Sequence, residues 1–126
     1  MGTIGEVMFR IYLIIVLMLT SVIPVKASVG SWKITHYCSC KKCCGKWSDG
    51  HFASGKEVYQ GGVACNWLPF GTKIVIDNIE YTVEDRGAKS LFGDKNNKIK
   101  HIDIWTASHK QALKLGVVYK KVRVVK

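Results

Sequence analysis

The chain is short of acid, short of proline and, past residue 23, short of long apolar runs. Nine Asp and Glu stand against 19 Lys and Arg, a net charge of +10. Two prolines, Pro24 and Pro69, exclude a proline-rich linker, and no internal repeat or low-complexity stretch is present to build a solenoid or a disordered tail. With so few carboxylates, the position of each one carries information.

The one apolar run, Ile11 to Ile23, follows Arg10 and is shorter than the roughly 20 residues that span a bilayer. Pro24 and then Val25-Lys26-Ala27-Ser28 come next, which places a small-residue cleavage site after Ala27. This is the layout of a secretory signal peptide over residues 1–27, with an uncleaved anchor as the alternative. Residues 28–126 then form one domain of about a hundred residues, enough for one small core. The expected location is outside the cytoplasm, secreted or held at the cell envelope. Lysines at 41–56, 89–100 and 110–126 suit an anionic partner. The export signal argues against nucleic acid as that partner.

Gly30 to Tyr37 alternates, with Trp32, Ile34 and His36 on one face and Lys33, Thr35 and Tyr37 on the other, and predicts a strand. Short strands are also predicted at Val63–Cys65, Lys73–Asp77, Ile79–Asp85 and Ile102–Trp105, with a last one over Val117–Val125. Asp77-Asn78 turns the middle two into a hairpin. Ser108 through Gln111 fits a capping box, and Gly116 suits the end of the helix it starts. Arg86 to His101 reads as a long polar loop. The expected class is mainly β, a closed or nearly closed barrel with one short helix.

Cys38, Cys40, Cys43 and Cys44 fall within seven positions, and Cys65 is remote. Export favours disulfides. The Cys40-Lys-Lys-Cys43 spacing favours structural zinc, with His36 or His51 as further ligands. The residues leave both readings open, and in each the cluster over 38–44 staples a loop. A Cys/His nucleophile has no local support, because no cysteine starts a predicted helix.

Two carboxylates stand out. Asp103 lies between Ile102 and Ile104, a setting that raises a carboxyl pKa and suits a general acid. Asp85 precedes Arg86-Gly87, where Arg86 is expected to hold it ionised. Two carboxylates in divergent settings are the pattern of an acid/base pair. His101 lies one strand repeat from Asp103, so both are expected on one face. Trp47, Phe52, Trp67, Phe70 and Trp105 are candidates for stacking on sugar rings or for packing.

From about Thr35 to Val125 the pieces resemble the 3D domain, named for three aspartates. They are Phe52-Ala-Ser-Gly55, Val63-Ala64, Leu68-Pro-Phe-Gly-Thr72, Tyr81-Thr-Val-Glu-Asp-Arg-Gly87, His101-Ile-Asp-Ile104 and the closing helix and strand. The resemblance implies a six-stranded double-psi β-barrel, similar to the catalytic barrel of membrane-bound lytic transglycosylase A and more distantly to expansins. It implies cleavage of peptidoglycan glycan strands, with Asp103 as the acid/base, Asp85 as its partner, and Asn66, Arg86, His101 and Trp105 around the substrate. No cofactor is required for that chemistry. Glycan strands, and anionic wall polymers beside them, are the implied partners. Two features depart from the family pattern: Asn66 or Cys65 stands where its first aspartate is expected, and the loop over Lys89–Lys100 is longer. The alternatives are an expansin-like module that binds without turnover and a zinc-stabilised interaction domain.

Overall fold

A computed structural model describes residues 30–126. The expected signal or anchor segment lies outside the described residues. Among those described, no helix is long and apolar enough to cross a membrane.

The chain is mainly β. Its strands are β1 (Trp32–Tyr37), β2 (Gly62–Ala64), β3 (Lys73–Ile76), β4 (Ile79–Asp85), β5 (His101–Trp105), β6 (Val118–Lys120) and β7 (Arg123–Val124). Three short helices, α1 (Lys41–Cys44), α2 (Lys89–Phe92) and α3 (His109–Leu115), lie between them. One mixed sheet runs β6-β1-β5-β2-β4-β3-β7. β1 is parallel to β5 and β2 to β4; the other pairs are antiparallel.

The alternation expected in β1 is what builds the core. Trp32 and Ile34 are buried with Val63, Cys65, Leu68, Ile74, Ile76, Val83, Ile102 and Ile104. Each fully buried Ile or Val contributes about 1.5–3 kcal/mol. The β3–β4 hairpin turns where expected. Asp77 and Asn78 have φ of 51° and 63°, the left-handed pair that matches strand twist.

Two expectations are corrected. The last strand, expected over Val117–Val125, is split, so there are seven strands and not six. Val118–Lys120 pairs with β1 at one end of the sheet, and Arg123–Val124 with β3 at the other. Lys121 and Val122 join these pieces, so Lys120 and Arg123 lie at most about 11 Å apart. The sheet must therefore curl until its ends meet. The number of helices also exceeds the one expected, because single helical turns form at Lys41–Cys44 and Lys89–Phe92 inside stretches read as loop.

α3 has the predicted ends. Ser108 Oγ accepts from Gln111 N at 3.1 Å, and Gly116 takes φ 62° at its close. The helix is tied to β1 by His36 Nδ1, which donates to Gly116 O at 2.9 Å.

Candidate functional site

Asp85 and Asp103 come together through register. Ala64 of β2 pairs with Asp103 of β5 on one side and with Asp85 of β4 on the other. The second pairing needs an irregularity. Val63 pairs with Val83 and Ala64 with Asp85, so Glu84 is the extra residue of a bulge. In a regular ladder Ala64 would meet Glu84, and Asp85 would turn to the core. The bulge puts Asp85 on the same face as Asp103. Glu84, 1% exposed, is held by Lys56 at 3.2 Å and by the Tyr59 hydroxyl at 3.1 Å, which fixes the 51–59 loop beside the site.

Both aspartates line a cleft of about 860 Å³. Its walls include Tyr37, Cys44, Trp47, Phe52, Arg86 and Leu91. The Asp85 carboxylate accepts from Tyr37 OH at 2.5 Å and from the backbone N–H groups of Ala53 and Arg86, each at 2.9 Å. Asp103 is different. Burial first, and then the nearby Asp85 charge, push its pKa up to about 6, against a hydrogen bond from Thr35. Its Oδ1 is sealed from solvent and has no partner among the described residues. A buried carboxyl oxygen without a donor is costly as a carboxylate and acceptable on a neutral acid.

The other expected site residues take several positions. Arg86 lines the cleft but does not hold the Asp85 side chain. Its Nη1 donates to Cys65 O at 2.6 Å, and the guanidinium lies 3.9 Å over Phe70. Asn66 is turned to the 87–93 loop: its amide donates to Gly87 O and Gly93 O and accepts from Gly87 N, all within 2.9 Å. Trp105 Nε1 donates to Ser39 Oγ at 2.9 Å and pins the start of the cysteine segment. His101 is buried, stacked on Phe92 at 3.9 Å and bonded to Thr35. Among the aromatics, Phe52 is buried and Trp67 stacks on Trp32 in the core. Trp47 is 70% exposed on the cleft wall.

A second constellation adjoins the cleft. Cys38 directly follows β1, and Cys40 and Cys43 stand three apart on the α1 turn, closed by Cys43 N to Cys40 O at 3.1 Å. His109 opens α3. Because β1 and β5 run parallel, their ends lie side by side, and Thr106 clamps the junction by donating twice to Tyr37 O. The ligand atoms of Cys38, Cys40, Cys43 and His109 all fall within 4.8 Å of one another. Cys38 and Cys43 sulfurs are 3.6 Å apart, and His109 Nδ1 is 3.3 Å from Cys43, 3.5 Å from Cys40 and 4.0 Å from Cys38. A tetrahedral ion bonded at about 2.0–2.3 Å sets its ligand atoms about 3.5–3.8 Å apart. The four residues fit a metal ion.

No two described cysteines stand at disulfide distance, which needs sulfurs about 2.05 Å apart. The cluster also differs from expectation in membership. Cys44 is outside it, with Sγ donating to Cys38 O at 3.1 Å and its thiol raised to about 11, chiefly by burial. His36 and His51 are bonded to Gly116 and Asp49 instead. Cys40 is lowered to about 6, first by its hydrogen bond with the Cys38 thiol, so a thiolate is at hand near neutral pH.

Fold and site together define a small, mainly β protein with a two-aspartate cleft beside a Cys3His cluster whose geometry could hold a metal ion. No family model matches the chain, and no curated protein matches it.

Proposed function

We propose that this protein cuts the glycan strands of peptidoglycan outside the cytoplasm, as a lytic transglycosylase with Asp103 as its single acid/base. The observation that carries the reading is Asp103 itself: a carboxyl raised to about 6, lining a large cleft, with one oxygen unpartnered. It is protonated at mildly acidic pH and can give that proton to a glycosidic oxygen. The C1–O bond then breaks. The 6-hydroxyl of the muramyl residue attacks C1, its proton passes to the Asp103 carboxylate, and the acid is regenerated as an anhydro ring closes. Hydrolysis would ask a second carboxylate to activate water. Asp85 already accepts three hydrogen bonds, which suits a residue that shapes the cleft and favours the one-acid route.

The fold reading is a double-psi β-barrel of the 3D type. Its support is the near-symmetry of the sheet order, in which the parallel pairs β1/β5 and β4/β2 flank the central β5–β2 contact. The ion of the Cys3His cluster is zinc, since thiolates with one imidazole at tetrahedral spacing are its usual structural set. Zinc serves here to hold the 38–47 wall of the cleft and takes no part in the reaction. Exposed lysines give the molecule affinity for anionic wall polymers. An expansin-like binding module is the second reading, and Asn66 supports it. The family's first aspartate is replaced there by an amide that is fully bonded within the protein.

Purified wall digested with the protein and analysed by mass spectrometry decides. Anhydro-muropeptides are expected. New reducing ends would make it a hydrolase, and no soluble fragments would make it a binder. Trp47 is the sugar platform in either case. Trp47→Ala is expected to weaken sedimentation onto wall fragments by about tenfold, as loss of one stacking contact of about 1.4 kcal/mol does, with thermal stability unchanged. Equal binding by the variant would remove Trp47 from the site.

A further inference from the structure

Arg86 brings a positive charge to the cleft that no acid of the protein answers. The chain carries 19 Lys and Arg. Among the described residues that line the cleft, Arg86 is the only one of them. Its neighbour in sequence, the Asp85 carboxylate, is engaged by Tyr37 OH and by the backbone N–H groups of Ala53 and Arg86. Among the described residues, no carboxylate lies within ion-pair distance of the Arg86 guanidinium.

The guanidinium is nonetheless held in one place. Its Cζ lies 3.9 Å over the Phe70 ring. Nη1 donates to Cys65 O at 2.6 Å and, more weakly, to Asp85 O at 3.4 Å. Both acceptors are neutral carbonyls. Nε and Nη2 have no partner among the described residues. A guanidinium sets its N–H donors in a plane, in pairs that match the two oxygens of a carboxylate. A ligand that meets a side chain already fixed by stacking loses little free energy in ordering it. A partly buried cation without an anion is costly in the free protein, and an anionic ligand relieves that cost.

We propose that Arg86 binds a carboxylate of the substrate, so that the cleft selects an anionic glycan. The inference rests on the glycan-strand reading above. The sugar rings of such a strand are neutral. Its carboxylates have two sources: the lactyl group of a muramyl residue without a peptide, and the peptide stem where one is attached. In a stem-bearing strand the lactyl carboxyl is an amide and carries no charge. A phosphate is the poorer fit, because Asp85 lines the same cleft and repels a doubly charged group more strongly than a carboxylate.

The placement also suits the acid. β4, β2 and β5 lie side by side, so the Asp85 and Asp103 backbones are two strand spacings apart, about 10 Å. Arg86 follows Asp85, which keeps the bound carboxylate away from the bond that Asp103 protonates. At pH 5 both groups are in the required state. Asp103, raised to about 6 chiefly by burial, keeps its proton, and a ligand carboxyl titrating near ~3.5 is ionised.

The test is an NMR binding titration of the full-length protein at pH 5 with defined probes. They are N-acetylglucosaminyl-N-acetylmuramic acid, its neutral lactyl methylamide, the same disaccharide carrying a tripeptide stem, and lactate alone. None contains a bond after a muramyl residue, so all bind without turnover. The Arg86 Nε–Hε resonance, assigned by Arg86→Gln, reports contact. If the lactyl group is the source, the free acid is expected to bind about tenfold more tightly than the methylamide and to move Nε–Hε. If the stem is the source, the tripeptide probe has that advantage instead. In Arg86→Gln, which keeps a donor for Cys65 O, the advantage is expected to vanish. Arg86→Lys keeps the charge without the paired donors and is expected to retain only part of it. The Nε–Hε resonance of the wild type carries the test if Arg86→Gln does not fold. Equal binding of all three disaccharides with Nε–Hε unmoved would overturn the inference and leave the glycan reading standing, as would a preference that survives in Arg86→Gln. Lactate that moves Nε–Hε while no disaccharide binds more tightly than lactate would keep the carboxylate site and defeat the glycan reading. No response to any probe would overturn both.

Discussion

Asp103→Asn is expected to abolish the glycan cleavage proposed for this protein and at the same time to make the folded chain more stable at neutral pH. Removing a general acid costs about 10²–10⁴ in rate, so release of muropeptides is expected to fall to background. The stability change comes from the same burial. The Asp103 carboxyl is raised to about 6 in the folded chain, whereas an unfolded aspartate titrates near 4. Between those values the unfolded chain loses its proton and the folded chain keeps it. Native stability contributed by this group is therefore full below about 4, falls as pH rises toward 6, and stays lower above. An amide has no proton to lose, so the substitution is expected to add about 3 kcal/mol at pH 7 and nothing at pH 3.5. Urea unfolding at the two pH values reads this difference, and wall digestion reads the loss of rate. Retained cleavage would sink the catalytic assignment. Equal stability gains at both pH values would sink the account of the raised acid.

Removing the zinc proposed for the Cys38, Cys40, Cys43 and His109 cluster is the other large perturbation. Thiolate sites bind zinc far more tightly than the protein concentrations at which they are studied, and a ligand present at a thousand times its dissociation constant stabilises by about 4 kcal/mol. For a domain of this size, chelation is expected to lower the melting temperature by more than about 15 °C. Cys43→Ser should produce the same shift without chelator, because it removes the ligand nearest His109. Cys44→Ser should retain the metal, since that sulfur bonds only a backbone carbonyl. Metal analysis of freshly purified protein is expected to give about one zinc per chain. Metal-free protein whose melting is indifferent to chelator would leave the cluster as a packing feature.

Much of the scaffold could be read from residue pattern. The strand at β1 followed from Trp32 and Ile34 alternating with Lys33 and Thr35. The hairpin followed from Asp77-Asn78, residue types that tolerate the left-handed pair found there. The helix limits followed from Ser108 and Gly116. What escaped is whatever depends on pairing between distant strands. Nothing local in Val117–Val125 shows that half of it pairs with β1 and half with β3. The two aspartates stood out because a carboxylate among isoleucines is unusual. That they share a face depends on the bulge at Glu84, which no run of residue types reveals.

The same limit explains Thr35, Tyr37 and His109. Thr35 and Tyr37 looked like the outer face of an ordinary strand. They matter because β1 lies against β5, which places a hydroxyl beside Asp103 and another on Asp85. His109 was one of several histidines available to the cysteines, and His36 and His51 looked nearer in sequence. The parallel pairing of β1 with β5 delivers His109 instead, 66 residues from Cys43. A spacing rule for three cysteines has no means of finding a fourth ligand that far away.

The curled sheet also bears on how copies of this chain meet. Sheet edges invite a second molecule to add a strand, and proteins that leave them long and apolar aggregate. Here the outermost strands are three and two residues long, contributed by a single stretch that carries Lys120, Lys121 and Arg123. The rim is too short to template another backbone and carries like charges that repel a second copy of itself. A basic protein at high local density is thereby kept from forming fibres along its own seam.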